Sequence, residues 1–258
     1  MKKSLSPNKF YIAISFILII LIINAESFSQ DTLIKSSNRF NDIKLTSLIF
    51  PAALIGYGLT TFNNSGIPSS QSVYDYRQKH FSNFHSNIDD FLTFAPALTA
   101  FTLQIDCYKG KNNTKDMTII FAISNIAGMG SVYALKNIIK HERPDNSDSE
   151  SFPSGHTTFA FIGADMLYQE YGDKSIWFSI GGYTAASAVG LMRILNNKHY
   201  FSDVLVGAGI GILSSRLSYL FYYKIIKHYP DKSNKLSFNL IPDIQNQGLK
   251  FSLSYLVL

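Results

Sequence analysis

Residues 117–135 form a run of nineteen residues without a charged side chain, and Lys136 follows the run directly. A helix of this length can cross the hydrocarbon core of a bilayer. A lysine at its end is costly in that setting unless an anionic group lies nearby. The run therefore predicts a helix in or against a membrane, and it marks Lys136 as a candidate functional side chain.

The composition of the whole chain agrees with a membrane-associated helical protein. Of the 258 residues, 46% are hydrophobic and only 16% are charged, whereas about a quarter of the residues in soluble proteins are charged. The net charge of +5 is modest, and no basic block with interleaved aromatic residues indicates a nucleic-acid partner. Cys107 is the only cysteine, which excludes an internal disulfide and a cysteine-based metal site.

Residues 1–30 have the pattern of an export signal. Lys2 and Lys3 precede the apolar stretch 10–23, and small residues follow up to position 29. Fourteen apolar residues are short for a spanning helix, so the segment is either a cleaved signal peptide or an uncleaved N-terminal anchor. In both cases the chain that follows begins outside the cytoplasm.

The remaining chain predicts an all-α fold, a membrane-associated antiparallel bundle of about five to six helices. Residues 31–84 form an N-terminal helical or interfacial segment, and residues 85–228 form the bundle core. In the tail, 229–258, apolar and polar residues alternate on both sides of 243–248, which predicts a short β-hairpin. The predicted helices are 45–62, 73–84, 88–105, 117–140, 157–171, 175–195 and 201–226.

Three polar clusters interrupt the apolar core: residues 136–144, 153–156 and 193–203. The first cluster ends one helix and the second begins the next. That helix turns back at 172–174, and its antiparallel partner ends at the third cluster. An up-and-down connection therefore brings all three clusters to one end of the bundle, while lysines such as Lys111 and Lys174 fall at the other end, as in cytoplasmic loops.

The first two clusters have the residue types of a phosphate site. Lys136 and Arg143 are seven residues apart and share one helix face, and a guanidinium can hold two phosphate oxygens. Ser154 and Gly155 open a helix whose first N–H groups form an anion site. His156 lies beside them, where an imidazolium could protonate a leaving oxygen. Each cluster alone could also be an ordinary helix end.

The third cluster supplies a candidate nucleophile. Asp203 follows His199 by four residues, so its carboxylate can accept from one ring nitrogen if the helix has begun by His199. The other nitrogen then keeps a free lone pair. Arg193 adds a third fixed cation. The looser loop carboxylates Asp145, Asp148 and Glu150 are expected to be a solvated lip of the pocket rather than metal ligands.

Together the clusters resemble the signature of the type 2 phosphatidic acid phosphatase (PAP2) family, within the acid phosphatase–vanadium haloperoxidase superfamily. Lys136 with Arg143–Pro144, then Pro153–His156, then Arg193, His199 and Asp203 match its three parts over about residues 85–226. One position departs from the pattern, because Met192 stands where the family usually has a phosphate-positioning serine.

The resemblance implies a role for each matched residue. His199 forms a phosphohistidine, Asp203 orients it and His156 protonates the leaving group. The phosphoryl oxygens are held by Lys136, Arg143, Ser154, Gly155 and Arg193. No metal or other cofactor is expected. Residues 85–228 would then be a PAP2-like phosphatase core.

The resulting expectation is a metal-independent hydrolase of a lipid phosphomonoester or isoprenoid diphosphate. It would lie in the membrane of a bacterial cell envelope, with its site facing the periplasm or exterior. Three alternatives stay open: a vanadate-dependent haloperoxidase, a soluble periplasmic acid phosphatase, and a non-catalytic phosphate-binding membrane protein. The haloperoxidases are usually much larger than 258 residues.

Overall fold

A computed structural model describes residues 45–106, 108–227, 236–243 and 248–255, so the predicted signal or anchor at 1–30 lies outside the described residues. The chain divides into two compact units at Leu220/Phe221. After a 3₁₀ turn at Leu45–Leu48, the α-helices are α1 Ile49–Phe62, α2 Ser70–His80, α3 Ile88–Leu92, α4 Ala95–Asp106, α5 Thr114–Ile139, α6 Gly155–Tyr171, α7 Ile176–Leu195 and α8 Phe201–Phe221.

The helical prediction is confirmed, since six described helices have twelve residues or more: α1, α4, α5, α6, α7 and α8. Polar side chains begin several of them. Asn113, Ser154 and Ser175 each accept from a backbone N–H in the first turn of α5, α6 and α7, respectively. These caps fix where each helix starts and therefore where the clusters fall.

The prediction of one helix over 88–105 is wrong. The chain breaks at Thr93–Phe94, between α3 and α4. Pro96 is the second residue of α4, where its missing N–H leaves no intrahelical bond unmade. The break separates the acidic turn of α3 from the apolar body of α4.

Helix α6 lies at the centre of the bundle and packs against α4, α5 and α7. The core joins buried residues of α6, α7 and α8, including Phe161, Val189 and Ile212. Helix α8 approaches α6 closely, because a Cβ on Gly207 would lie 2.7 Å from the Ser154 carbonyl oxygen and one on Gly211 would lie 2.5 Å from that of Thr158. These glycines bring the start of α8 against the start of α6.

The chain is a membrane protein. Three described helical stretches are long and apolar enough to cross a bilayer: Thr114–Ile139, Ile176–Leu195 and Phe201–Ile226. The apolar helix Thr46–Phe62 falls below that length.

In the second unit, a π-helical turn, Tyr222–Ile226, precedes the tail hairpin. Strands β1, Leu236–Asp243, and β2, Gly248–Tyr255, pair antiparallel, with Leu236 opposite Tyr255 and Asp243 opposite Gly248. The pairing confirms the hairpin predicted from the alternation of apolar residues.

Candidate active site

The structure brings the three polar clusters together at one end of the bundle. Arg143 of the first cluster reaches His199 of the third, with 3.3 Å between Nη1 and Nε2. The Ser154 N–H of the second cluster donates to the Asp203 carbonyl at 3.0 Å. The C-terminal end of α5, the N-terminal end of α6 and the α7–α8 turn therefore form one site.

His199 is only 2% exposed, and its two ring nitrogens face opposite charges. Nε2 faces Arg143, which can only donate a hydrogen bond. Nδ1 lies 3.5 Å from Asp203 Oδ2. The network therefore assigns the proton to Nδ1 and leaves the lone pair on Nε2.

The His199 ring is neutral over most of the pH range. Burial lowers its pKa to about 4, and the positive charges of Arg143 and Arg193 act in the same direction. The hydrogen bonding and charge of Asp203 oppose this shift without cancelling it. A neutral imidazole with a free Nε2 lone pair is the form that can attack phosphorus.

Asp203 is completely buried and is held by several donors. Oδ2 accepts from Ser151 Oγ at 2.5 Å and from the Tyr200 N–H at 2.9 Å, and Oδ1 accepts from Ser202 Oγ at 3.2 Å. The condition stated for a helical His199–Asp203 offset is not met, because α8 begins at Phe201, after His199, yet Asp203 still lies beside Nδ1. The turn before α8 explains why the histidine–carboxylate contact is 3.5 Å long.

Lys136 and Arg143 of the first cluster have oxygen partners in the loop that follows α5. Lys136 Nζ donates to the Glu150 backbone carbonyl, a neutral acceptor, so this contact does not supply the anionic partner that the position of Lys136 led us to expect. Arg143 Nε lies 2.6 Å from Asp148 Oδ1. Burial would raise the Asp148 pKa, but the bonds from Arg143 and the Glu150 N–H bring it below the usual value. Asp148 is therefore an ion-pair partner of Arg143 as well as part of the predicted lip.

The other lip residue with a cation is Asp145. Its Oδ2 lies 2.6 Å from Lys198 Nζ, and its Oδ1 accepts from Ser147. These contacts outweigh burial and lower the Asp145 pKa to about 2. Among the described residues, no group of three or more His, Cys, Asp or Glu side chains is placed to hold a metal ion.

Arg193 and His156 meet two carboxylates of α3 that were not among the predicted site residues, Asp89 and Asp90. Arg193 Nη1 lies 2.9 Å from Asp89 Oδ2, and His156 Nε2 lies 3.2 Å from Asp90 Oδ1. Burial and then Arg193 lower the His156 pKa, whereas both carboxylates raise it. Two adjacent acidic residues in an otherwise apolar stretch were the sequence signal that could have identified Asp89 and Asp90 as site residues.

The start of α6 provides backbone donors beside these side chains. Ser154 is fully buried and bonds Thr157 Oγ1 at 2.8 Å, so its hydroxyl closes the helix end. Gly155 is the first helical residue, and a Cβ there would meet nothing closer than 3.6 Å. Met192 contributes its carbonyl to Asn196 N–H at 2.7 Å, but its thioether cannot donate a hydrogen bond to phosphate.

The arrangement can perform chemistry at a bound phosphate. It combines a neutral imidazole whose Nε2 carries a lone pair, a second imidazole beside a carboxylate, three fixed cations and the N-terminal end of a helix. Cations and backbone dipoles of this kind stabilise the charge that develops on transferring phosphoryl oxygens.

Comparison with known proteins agrees with this geometry. Residues 117–227 match the family model described as the PAP2 superfamily, and all three polar clusters lie within that range. Lipid A 1-phosphatase of Porphyromonas gingivalis is 36% identical over 167 residues, which are 64% of this chain and 36% of that protein.

Two further similarities extend the comparison. Probable lipid phosphate phosphatase 4 of Arabidopsis thaliana is 30% identical over 102 residues, 35% of this chain and 31% of that protein. The chain thus spans about a third of the length of these curated relatives. The crystal structure of Aquifex aeolicus LpxE has a TM-score of 0.43 and 23% identity, over 56% of this chain and 92% of that chain.

Proposed function

From the match of residues 117–227 to the PAP2 superfamily model, we propose that this chain is a PAP2 phosphatase that hydrolyses a lipid phosphomonoester or diphosphate through a phosphohistidine at His199. The observation that carries the proposal is the setting of this ring. Nε2 faces the Arg143 guanidinium at 3.3 Å, Nδ1 faces Asp203, and burial keeps the imidazole neutral with a pKa of about 4. A phosphate held by Arg143 would lie next to the attacking lone pair.

The reaction proceeds in two displacements. His199 Nε2 attacks phosphorus, the N–P bond forms, and the P–O bond to the lipid breaks. The bond's electron pair leaves with the lipid oxygen, which takes a proton from His156. Water then attacks phosphorus and gives a proton to His156. The N–P bond breaks, its electron pair returns to His199, and orthophosphate leaves.

The phosphoryl oxygens are stabilised by protein cations. Lys136, Arg143 and Arg193 carry the positive charge, and the N–H groups at Ser154 and Gly155 add backbone donors at the start of α6. Because this set supplies the charge that a metal would otherwise supply, we expect turnover to continue in the presence of EDTA.

The substrate class is proposed from the membrane setting and the curated relatives. Three of the described helices can cross a bilayer, and one relative is described as a lipid A 1-phosphatase. A lipid phosphate is therefore favoured over a soluble one. The panel to be assayed is lipid A 1-phosphate, phosphatidic acid, phosphatidylglycerophosphate and undecaprenyl diphosphate, with a soluble phosphomonoester for comparison.

We place the active site on the periplasmic or exterior side of a bacterial envelope membrane. The support is the charge at the opposite end, where Lys111 lies 3.6 Å from Asp173 and Lys174 donates to the Lys109 carbonyl. Such lysine-rich ends face the cytoplasm by the positive-inside rule. In a Cys107→Ser background, a cysteine at Ser147 should react with an impermeant maleimide in intact cells, and one at Asp173 should not. The reverse labelling would contradict this orientation.

The central experiment measures phosphate release by the purified full chain in detergent, with and without EDTA. Wild type should remain active with EDTA, and His199→Ala should lose at least about 10³-fold in kcat. His80→Ala, which changes an exposed histidine on α2, is the matched control. Loss of turnover with EDTA, or full activity of His199→Ala, contradicts the mechanism. Bromide oxidation on addition of vanadate and peroxide would indicate the haloperoxidase alternative instead.

A further inference from the structure

Helix α3 contributes a buried carboxylate that is fixed from two sides. Asp89 is 1% exposed. Its Oδ2 lies 2.9 Å from Arg193 Nη1, and its Oδ1 accepts from Asn196 Nδ2 at 2.9 Å. Its carbonyl also accepts from the Thr93 N–H and hydroxyl. Asp89 is therefore a rigid point at which α3 is attached to the end of α7.

The next residue extends from this fixed point toward His156. Asp90 Oδ1 lies 3.2 Å from His156 Nε2 and 3.7 Å from Arg193 Nη1. Asp90 is the hydrogen-bond acceptor for Nε2, so Nδ1 is the nitrogen left to carry a proton to the substrate. Since residues 89 and 90 are adjacent on one helical turn, the Asp89–Arg193 pair determines where the Asp90 carboxylate lies.

We propose that Asp90 is a positioning residue for His156, one that orients its ring and stabilises its protonated form for leaving-group departure. This inference rests on the proposed phosphatase function and assigns a role to α3, which lies outside the three clusters. A carboxylate beside an imidazolium orients the ring and stabilises its charge, whereas Asp203 lies beside an imidazole that stays neutral. The site therefore contains two histidine–carboxylate pairs with opposite requirements: His199 neutral and His156 protonated.

The charges facing His156 agree with this assignment. Arg193 from α7 disfavours the imidazolium, and burial acts in the same direction, whereas Asp89 and Asp90 from α3 favour it. Asp89 is already paired with Arg193, so Asp90 supplies the direct hydrogen bond to the ring. Without this carboxylate, His156 would face a cation and lose its proton at lower pH.

The Asp90–His156 pair is half exposed, with side-chain exposures of 55% and 40%. Ion pairs this open contribute little to folding stability, so replacing Asp90 should alter catalysis without unfolding the bundle. Asp90→Asn is the suitable variant, since its amide oxygen can still accept from Nε2 while the charge is removed.

The test compares two leaving groups in the full-length protein. For dioleoyl phosphatidic acid, whose alkoxide must be protonated, Asp90→Asn should lower kcat/KM by about 10- to 100-fold. For p-nitrophenyl phosphate, whose phenolate leaves without a proton, it should change kcat/KM by less than about threefold. The basic limb of the phosphatidic acid profile should move to lower pH. Asp173→Asn, at the lysine-rich end, should leave both rates unchanged.

A double-mutant cycle on phosphatidic acid decides the matter independently of the second substrate. If Asp90 acts through His156, adding Asp90→Asn to His156→Ala should cause no further loss. Equal losses on both substrates, or additive losses in the cycle, would overturn the inference while leaving the phosphatase function intact. A wild-type protein that releases no phosphate from any lipid of the panel or from p-nitrophenyl phosphate would overturn the proposed function, and this inference with it.

Discussion

Arg143 Nη1 lies 3.3 Å from His199 Nε2, so the proposed phosphate-binding arginine and the proposed nucleophile are in direct contact. The same guanidinium holds Asp148 through Nε at 2.6 Å. The loop that follows α5 therefore orients the Arg143 guanidinium beside His199. Pre-orientation of this kind lowers the cost of assembling the charged transition state.

The planar shape of Arg143 should matter as much as its charge. In Arg143→Lys the charge remains, but one ammonium cannot contact Asp148 and His199 in the same fork geometry. We expect kcat/KM for phosphatidic acid to fall by about 10²- to 10³-fold. Lys140→Asn is the control, because residue 140 is exposed and left-handed, with φ of 46°, and asparagine tolerates that conformation. Wild-type kcat/KM in Arg143→Lys would show that the planar guanidinium is not required.

The pKa values of the two histidines predict an acidic optimum. His199 must be neutral to attack, and its pKa of about 4 means that kcat/KM falls only as pH drops through about 4. His156 must be protonated, and its pKa lies below the usual 6.5, so kcat/KM falls as pH rises through that lowered value. The leaving group of p-nitrophenyl phosphate needs no proton from His156. On this substrate, kcat/KM should still fall as pH drops through about 4, but it should no longer fall as His156 loses its proton. An acid limb at 6.5 or above would contradict the buried, neutral His199.

Two variants at the Asp203 carboxylate, which lies beside His199, should reduce kcat to different extents. Asp203→Asn places an amide where Oδ2 accepts from Ser151 and Tyr200, and it removes the charge that holds the proton on Nδ1. We expect kcat to fall by about 10³-fold or more. Ser151→Ala leaves the charge but removes the 2.5 Å bond, so it should cost about tenfold. Ser147→Ala, in the exposed loop, should cost nothing. A larger loss of kcat in Ser151→Ala than in Asp203→Asn would contradict the expectation that the charge of Asp203 matters more than its bond to Ser151.

The meeting of the three clusters could be predicted from connectivity. Lys136, Ser154 and Arg193 lie at the ends of successive antiparallel helices, and helix ends are set by local signals such as the Ser154 cap and the polar break at 172–174. Helix α7 was predicted as 175–195 and is Ile176–Leu195. The hairpin followed from strict alternation of apolar residues in the tail.

What could not be predicted depends on packing between distant segments. Asp89 meets Arg193 across 104 residues, and no local pattern specifies that α3 lies against the end of α7. The helix break at Thr93–Phe94 was missed because the stretch stays apolar through it. The start of α8 was predicted at residue 201 and is Phe201, but spacing alone did not show whether the offset between His199 and Asp203 is helical.

Close packing of α8 on α6 yields the last prediction. Gly207→Ala would place a Cβ 2.7 Å from the Ser154 carbonyl oxygen and 3.2 Å from Thr158 Oγ1. The helices would have to separate, at a cost of about 1–3 kcal/mol. Because the Ser154 N–H donates to the Asp203 carbonyl, that separation would also displace the carboxylate that orients His199. We therefore expect a lower Tm together with a lower kcat.

Gly181→Ala is the matched control for this variant. It makes the same change within α7, where a Cβ would meet nothing within 4 Å. Alanine is favoured over glycine in helices by up to about 1 kcal/mol, so Tm should stay the same or rise and kcat should not change. Thermal unfolding and phosphate release, measured on both variants in the same detergent, decide the point. If Gly207→Ala matched Gly181→Ala in both measurements, the α6–α8 approach would not be what positions the catalytic pair.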